Sequence, residues 1–153
     1  YKAGELDVSK TVTGNLGDKN KYFEFKVTLT GEEGKTYRDS YAVTGGSNTE
    51  NPSTIKIGEE TTFLLKHGET IHIENLPYGV TYTVTETAAE GYTTEKTGDT
   101  GEINAADQAA KFTNTKEGSI DTGVVLNNMP YILVLAVLAA GVAVFIIRKR
   151  RED

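Results

Sequence analysis

Short segments in which apolar and polar residues strictly alternate are the feature that most constrains how this chain can fold. In residues 22–29, for example, every second position from Phe23 to Leu29 is apolar and the positions between are polar. Successive side chains of a β-strand point to opposite faces, so such a segment presents one apolar face to a core. The pattern predicts strands at residues 6–12, 22–29, 54–57, 61–65, 70–76, 82–86, 92–96 and 109–115.

Glycine-rich and asparagine-rich turn signals separate these segments, for example at residues 45–48 and 98–101. Many short strands with regular turns are typical of an antiparallel β-sandwich, so the predicted fold class is all-β. Residues 45–53 are polar and predict a loop, whereas residues 102–108 fit either a helical turn or a loop.

Three polar residues occupy positions where a hydrophobic residue is expected. Alternation places Lys10, Glu86 and Asn114 on the apolar faces of the first, sixth and last of the predicted strands. An amine, a carboxyl and a carboxamide are each costly to bury alone. Together, however, they supply an amine nucleophile, a proton shuttle and an amide electrophile.

These three groups can form an isopeptide bond. Burial favours the neutral forms of an amine and a carboxyl, so Lys10 can attack the carboxamide carbon of Asn114. Glu86 can polarise the amide and relay protons to the departing ammonia, while enclosure supplies a high effective molarity. The reaction occurs once per molecule, so the chain is predicted to modify itself and not to be an enzyme with turnover.

Simpler interpretations of the same three residues remain open at this point. A lysine in a strand can extend along the surface and place its ammonium group in water. A single glutamate or asparagine can be solvated or bonded to a turn. A buried Lys–Glu ion pair would also account for two of the three residues without any chemistry.

The C-terminal part of the chain has a membrane-length apolar run. Residues 129–147 carry no charge, and a helix needs about 20 apolar residues to cross a bilayer. Four basic residues, 148–151, follow immediately and favour a cytoplasmic location for the end of the chain. We therefore predict one transmembrane helix within residues 124–147, a cytoplasmic tail at 148–153 and an extracellular location for the domain before them.

Composition excludes several functional classes. The formal net charge is −6 although the last six residues are net basic, so the rest of the chain is more acidic still and unsuited to nucleic acid. There is no cysteine, and His67 and His72 are too few and too separate to predict a metal site, so neither a metal nor another cofactor is expected.

The chain opens at Tyr1, and we expect a fragment or processed form with room for domains upstream.

Several segments resemble the Cna B-type isopeptide-forming domains of Gram-positive backbone pilins. The resemblance covers about residues 5–116 and is carried by residues 8–15, 23–29, 64–69, 76–86 and 112–115. It implies an immunoglobulin-like sandwich over residues 1–116. It also implies a cross-link between Lys10 and Asn114, with Glu86 as the catalytic residue.

Residues 117–123 resemble a linker with a sortase sorting motif. Sortases cut between Thr and Gly, which correspond here to Thr122 and Gly123, with Ile120 and Asp121 completing the motif. The family's common form has Leu-Pro at its first two places, and some pilins carry Val-Pro-Thr-Gly instead; Asp121 replaces the proline of that second form. An ordinary single-span anchor with an incidental Thr-Gly is the alternative. The resemblance implies as partners a sortase, other pilin subunits or peptidoglycan, and the membrane before sorting.

The sequence as a whole predicts a structural subunit of a sortase-assembled pilus or a wall-anchored surface protein, located at the cell surface. Lys2 is a candidate acceptor of a neighbouring subunit by position only. The alternative function is a cell-surface adhesin module that binds a host or matrix ligand through loops such as residues 44–53. A membrane-tethered hydrolase is disfavoured because no catalytic constellation is present.

Overall fold

The computed structural model of the protein describes residues 2–118. Within these residues the structure is all-β, and the strands lie in a compact unit comprising residues up to Thr13 and from Gly17 to Lys116. The strands are β1 (Ala3–Thr13), β2 (Phe23–Thr30), β3 (Tyr41–Gly45), β4 (Thr54–Ile55), β5 (Glu60–Leu65), β6 (Thr70–Pro77), β7 (Thr81–Glu86), β8 (Thr93–Thr97), β9 (Thr100–Glu102) and β10 (Asp107–Thr115).

The strands form two sheets with a shared core. One sheet has the order β4-β3-β6-β1-β10-β8, and the other has the order β5-β2-β7-β9. Buried residues alternate with more exposed ones along β1 and β2, as expected for strands that bury one face. The buried apolar side chains of both sheets form one cluster. The prediction of an all-β fold built from packed sheets is confirmed.

The first and last strands are neighbours and run parallel. β1 pairs with β10 in parallel from Glu5↔Asp107 to Thr13↔Thr115, whereas the other strand pairs of the described residues are antiparallel. The prediction of a wholly antiparallel sandwich is therefore wrong at this pair. Parallel neighbours require a long crossover, which the intervening strands supply, and alternation along a strand carries no information about its direction.

Two short strands were not predicted from the sequence. β3 has only two buried apolar side chains, Tyr41 and Val43, and β9 has only three residues, so neither shows a clear alternation. Between Glu102 and Asp107 the chain forms a loop, which resolves the choice between a helical turn and a loop in residues 102–108.

Within residues 2–118 no helix is long and apolar enough to cross a membrane. The predicted transmembrane helix at 124–147 and the basic tail at 148–153 lie outside the described residues. The same is true of the motif residues Ile120, Asp121, Thr122 and Gly123.

Candidate functional site

Lys10 is a fully buried lysine in an interior strand of the larger sheet. It lies in β1, between β6 and β10, and is only 1% exposed, which places it among the largest fully buried side chains. The residues two positions before and after it, Val8 and Val12, are buried on the same face. The alternation of β1 thus directs the amine into the core, as predicted, and excludes a solvated lysine.

Asn114 lies beside Lys10 on the neighbouring strand. The parallel register pairs Lys10 with Phe112 and Val12 with Asn114, so the two polar side chains are offset by two residues on the same inner face. The side chain of Asn114 is fully buried. The first and last strands of the domain therefore bring an amine and a carboxamide to one point.

Glu86 approaches both groups from the opposite sheet. It is the last residue of β7, where it pairs with Phe25 of β2, and its side chain is 3% exposed. Lys10 Nζ lies 2.7 Å from Glu86 Oε2, and Asn114 Nδ2 donates a hydrogen bond to the same oxygen at 2.9 Å. The three residues predicted from the sequence are thus brought together by one carboxylate oxygen.

Aromatic rings enclose the site. Lys10 Nζ lies 4.3 Å from the ring centroid of Phe23 and 5.7 Å from that of Phe25. The rings of Phe25 and Phe112 meet edge to face at a centroid separation of 5.2 Å and bridge the two sheets beside the polar groups. This shell keeps water away and strengthens electrostatic interactions inside the site.

Burial changes the acidity of the amine. Desolvation lowers the pKa of Lys10 from its ordinary value of 10.5, and the hydrogen bond and charge of Glu86 act in the opposite direction. Desolvation is the larger effect, so the neutral amine of Lys10 is more accessible than that of a surface lysine. A neutral amine is the form that can act as a nucleophile.

Two oxygens of the site have no hydrogen-bond partner within residues 2–118. They are Glu86 Oε1 and Asn114 Oδ1, and both are buried. A buried acceptor without a donor costs about 1–3 kcal/mol, so such groups are uncommon in a site that serves only to hold the fold together.

A second polar cluster lies on the outer face of the larger sheet. His72 Nδ1 lies 2.8 Å from Glu5 Oε2 and 2.7 Å from Asp7 Oδ1, across the pairing of β6 with β1. Among the described residues these three side chains converge closely enough to be considered as metal ligands. An imidazolium bridging two carboxylates accounts for the same distances, and the expectation of no metal stays a prediction.

One contact near the site was not predicted from the sequence. His67, in the turn between β5 and β6, accepts a hydrogen bond on Nδ1 from the backbone N–H of Val12 at 2.9 Å. The two residues are 55 positions apart, so no local pattern in the sequence could have indicated the contact. Lys2, the candidate acceptor lysine, is exposed at the start of the described residues.

Comparison with known proteins identifies the family. The family described as "Domain of unknown function (DUF7601)" matches residues 4–116, and the chain belongs to it. The chain is 32% identical over 170 aligned residues to a pilin of Streptococcus pyogenes serotype M1, covering 95% of this chain and 48% of that protein. It is 36% identical over 113 residues to the pilus tip adhesin Cpa of Streptococcus pyogenes, covering 74% of this chain and 15% of the adhesin.

Solved structures show the same relationship. The crystal structure of the major pilin from Streptococcus pyogenes is similar, with a TM-score of 0.60 and 28% identity over 76% of this chain and 48% of that one. A structure of the pilus-presented adhesin Cpa gives a TM-score of 0.61 and 27% identity over 76% of this chain and 28% of that one. The chain thus spans about half or less of the length of these relatives. Its described β unit is a Gram-positive pilin domain.

Proposed function

We propose that this domain is a structural module of a pilus subunit or wall-anchored surface protein, stabilised by an isopeptide bond between Lys10 and Asn114. The observation that carries the proposal is the shared position of Lys10 Nζ and Asn114 Nδ2 on one buried oxygen of Glu86. In this proposal the two-sheet fold is an immunoglobulin-like sandwich of the Cna B type, and the relatives named pilin support it.

The proposed reaction is a transamidation within the chain. A proton passes from the ammonium of Lys10 to Glu86 Oε2, 2.7 Å away, and leaves a neutral amine. Nζ then attacks Asn114 Cγ, and the Cγ–Nδ2 bond breaks. Because Glu86 Oε2 also lies 2.9 Å from Nδ2, the same oxygen can return protons to the leaving group. One amide bond forms, one is lost, and ammonia departs. Nζ gives its remaining excess proton to Glu86, which therefore ends protonated.

The two orphan oxygens support this sequence of steps. A protonated Glu86 carries an O–H group that can donate a hydrogen bond. Asn114 Oδ1 is a buried acceptor without a partner among the described residues. A hydrogen bond from the carboxyl to Oδ1 would polarise the carboxamide and stabilise the negative charge that develops on this oxygen. The apolar shell of Phe23 and Phe25 strengthens that interaction by excluding water.

Intact mass spectrometry of the purified protein tests the cross-link directly. We expect the protein to be lighter than its sequence by one ammonia, and Glu86→Ala and Asn114→Ala to have their full masses. Closing a loop of about 100 residues contributes roughly 4.7 kcal/mol, so each variant should also melt at least about 10 °C lower. Glu95→Ala, at an exposed glutamate of β8, is the matched control and should retain the mass deficit. A wild-type protein of full mass would contradict the proposal.

The proposal extends to the rest of the chain. Residues 1–116 form the pilin domain, 117–123 the linker and sorting motif, 124–147 the membrane-spanning segment and 148–153 the cytoplasmic tail. A sortase would cleave between Thr122 and Gly123 and transfer the chain to another pilin subunit or to peptidoglycan at the cell surface. The pilin relative that covers 95% of this chain supports this arrangement.

Genetic removal of the sortase tests the assembly step. We expect the protein of the parent strain in covalent ladders of high mass, and the protein of the deletion strain as a membrane-bound monomer. Thr122→Ala should reproduce the deletion phenotype, whereas Thr113→Ala in β10 serves as a control outside the motif. Ladders that persist without the sortase would refute sortase assembly and leave the cross-link proposal unaffected.

A second candidate function is that of an adhesin module. It is favoured by the 36% identity to the pilus tip adhesin Cpa, although that match covers only 15% of the adhesin. Saturable binding of the purified protein to immobilised matrix proteins or glycans would favour this function, and its consistent absence would favour a shaft or stalk role.

A further inference from the structure

The strand that carries Lys10 loses one of its neighbours just before the reactive residue. β1 pairs with β6 as far as Ser9↔Thr70, whereas its pairing with β10 continues to Thr13↔Thr115. From Lys10 onward, one edge of β1 is therefore no longer covered by a strand. An interior backbone N–H or C=O left without a partner is costly, so something else must satisfy this edge.

The turn between β5 and β6 covers the exposed edge. Lys10 N donates to the carbonyl of Glu69 at 3.0 Å, and Gly68 N donates to the carbonyl of Lys10 at 2.8 Å. The next inward-facing residue of β1, Val12, donates its N–H to His67 Nδ1 at 2.9 Å. The imidazole thus replaces the carbonyl that a strand neighbour would have offered.

The position of this bond is directly relevant to the proposed reaction. Val12 is the register partner of Asn114, and Lys10 is the next inward-facing residue of the same strand. The hydrogen bond to His67 therefore fixes the backbone of β1 at the register of the carboxamide, two residues beyond the reactive lysine. Since Nδ1 accepts this bond, the ring proton of the neutral imidazole must be on Nε2.

We propose that His67 is a positioning residue for the isopeptide reaction and acts through the backbone of Val12. This inference rests on the proposed cross-link between Lys10 and Asn114. A misplacement of about 1 Å in a reacting group can reduce a rate roughly 10²-fold, so the loss of one backbone constraint beside the site can slow bond formation while the fold survives.

Two substitutions at position 67 distinguish an effect of the lost hydrogen-bond acceptor from a general effect on side-chain packing and stability. His67→Asn keeps an acceptor, because the side-chain oxygen of asparagine occupies nearly the place of imidazole Nδ1. His67→Ala removes the acceptor. Asn51→Ala is the matched control, because the Asn51 carboxamide likewise replaces a strand partner, with hydrogen bonds of 2.7 and 3.0 Å to the backbone of Leu64 in β5.

The measurement is the rate at which the full-length chain loses ammonia, followed by intact mass at successive times after a short pulse of synthesis. We expect His67→Ala to slow the reaction about 10- to 100-fold, His67→Asn to restore most of the rate, and Asn51→Ala to react at the wild-type rate despite a lower melting temperature. A merely structural role predicts instead that rate follows melting temperature in all three variants.

The outcomes also distinguish the two proposals. If the wild-type protein never loses ammonia, the cross-link itself is refuted and the inference about His67 falls with it. If the wild-type protein reacts and His67→Ala reacts equally fast, the cross-link stands and His67 is not a positioning residue. If His67→Asn is as slow as His67→Ala, the hydrogen-bond acceptor at this position does not control the rate, and the inference is again overturned.

Discussion

At the scale of single residues, the cluster of Glu5, Asp7 and His72 is a source of pH dependence separate from the cross-link. The hydrogen bond to Asp7 is the largest effect that raises the pKa of His72 above 6.5, with Glu5 contributing in the same direction. The pKa of Glu5 is raised above 4.5, first by its hydrogen bond with Asp7 and then by burial. Both groups therefore bind a proton more tightly in the folded state than in the unfolded state.

The sign of the effect follows from this difference in proton binding. Stabilisation by His72 is fully present below pH 6.5, its unfolded value, and is lost as the pH rises through the higher folded value. We expect His72→Asn to lower the melting temperature at pH 5 and to have little effect at pH 9. The side chain of His72 is 39% exposed, so solvent screening limits the difference to less than about 1 kcal/mol.

The control for this measurement is a double variant, Glu5→Gln with Asp7→Asn, in which His72 loses its acidic partners. The additional effect of His72→Asn in that background should be independent of pH. Thermal unfolding at pH 5, 7 and 9 in low salt provides the comparison. An effect of His72→Asn that increases toward alkaline pH would contradict the assignment of a stabilising imidazolium.

At the scale of strands, alternation predicted the longer strands that place several residues in the core and missed the shorter strands β3 and β9. β1, β2 and β10 each place several residues in the core, and their inward faces were correctly predicted. β8 is exposed at every position, and its prediction from residues 92–96 succeeded through β-branched threonines. β9 has three residues and no buried apolar side chain, so its pairing with β7 is fixed by tertiary context.

The residues of the candidate site could be predicted from local alternation, whereas their convergence could not. Lys10, Glu86 and Asn114 stood out because they interrupt apolar faces, which is a local property of the sequence. Their convergence depends on the parallel pairing of β1 with β10 and on the packing of β7 from the other sheet, which alternation does not encode. The contact of His67 with Val12 is of the latter kind, since a turn and a strand 55 residues apart create it.

At the scale of the whole molecule, the parallel pair of first and last strands determines the route of a pulling force. Tension applied at the two ends of the described β unit enters through β1 and leaves through β10. Because these strands are parallel neighbours, the force acts along their shared register as shear. A covalent bond from Lys10 to Asn114 would carry that force directly between the strands, and residues 11–113 would bear none of it. A reductant, which opens a disulfide, would not open such an amide bond.

Single-molecule stretching tests this mechanical role. The chain has no cysteine, so Lys2→Cys and Glu117→Cys would supply unique attachment points at the ends of the β unit. We expect the wild-type domain to show no unfolding step, because only the short segments outside the bond can extend. Glu86→Ala should unfold and release roughly 400 Å of contour length, from about 115 residues at about 3.5 Å each, less the end-to-end length of the folded unit. Glu95→Ala should behave as wild type, and an unfolding step of full length in a wild-type domain that has lost ammonia would show that Lys10 and Asn114 do not carry the load.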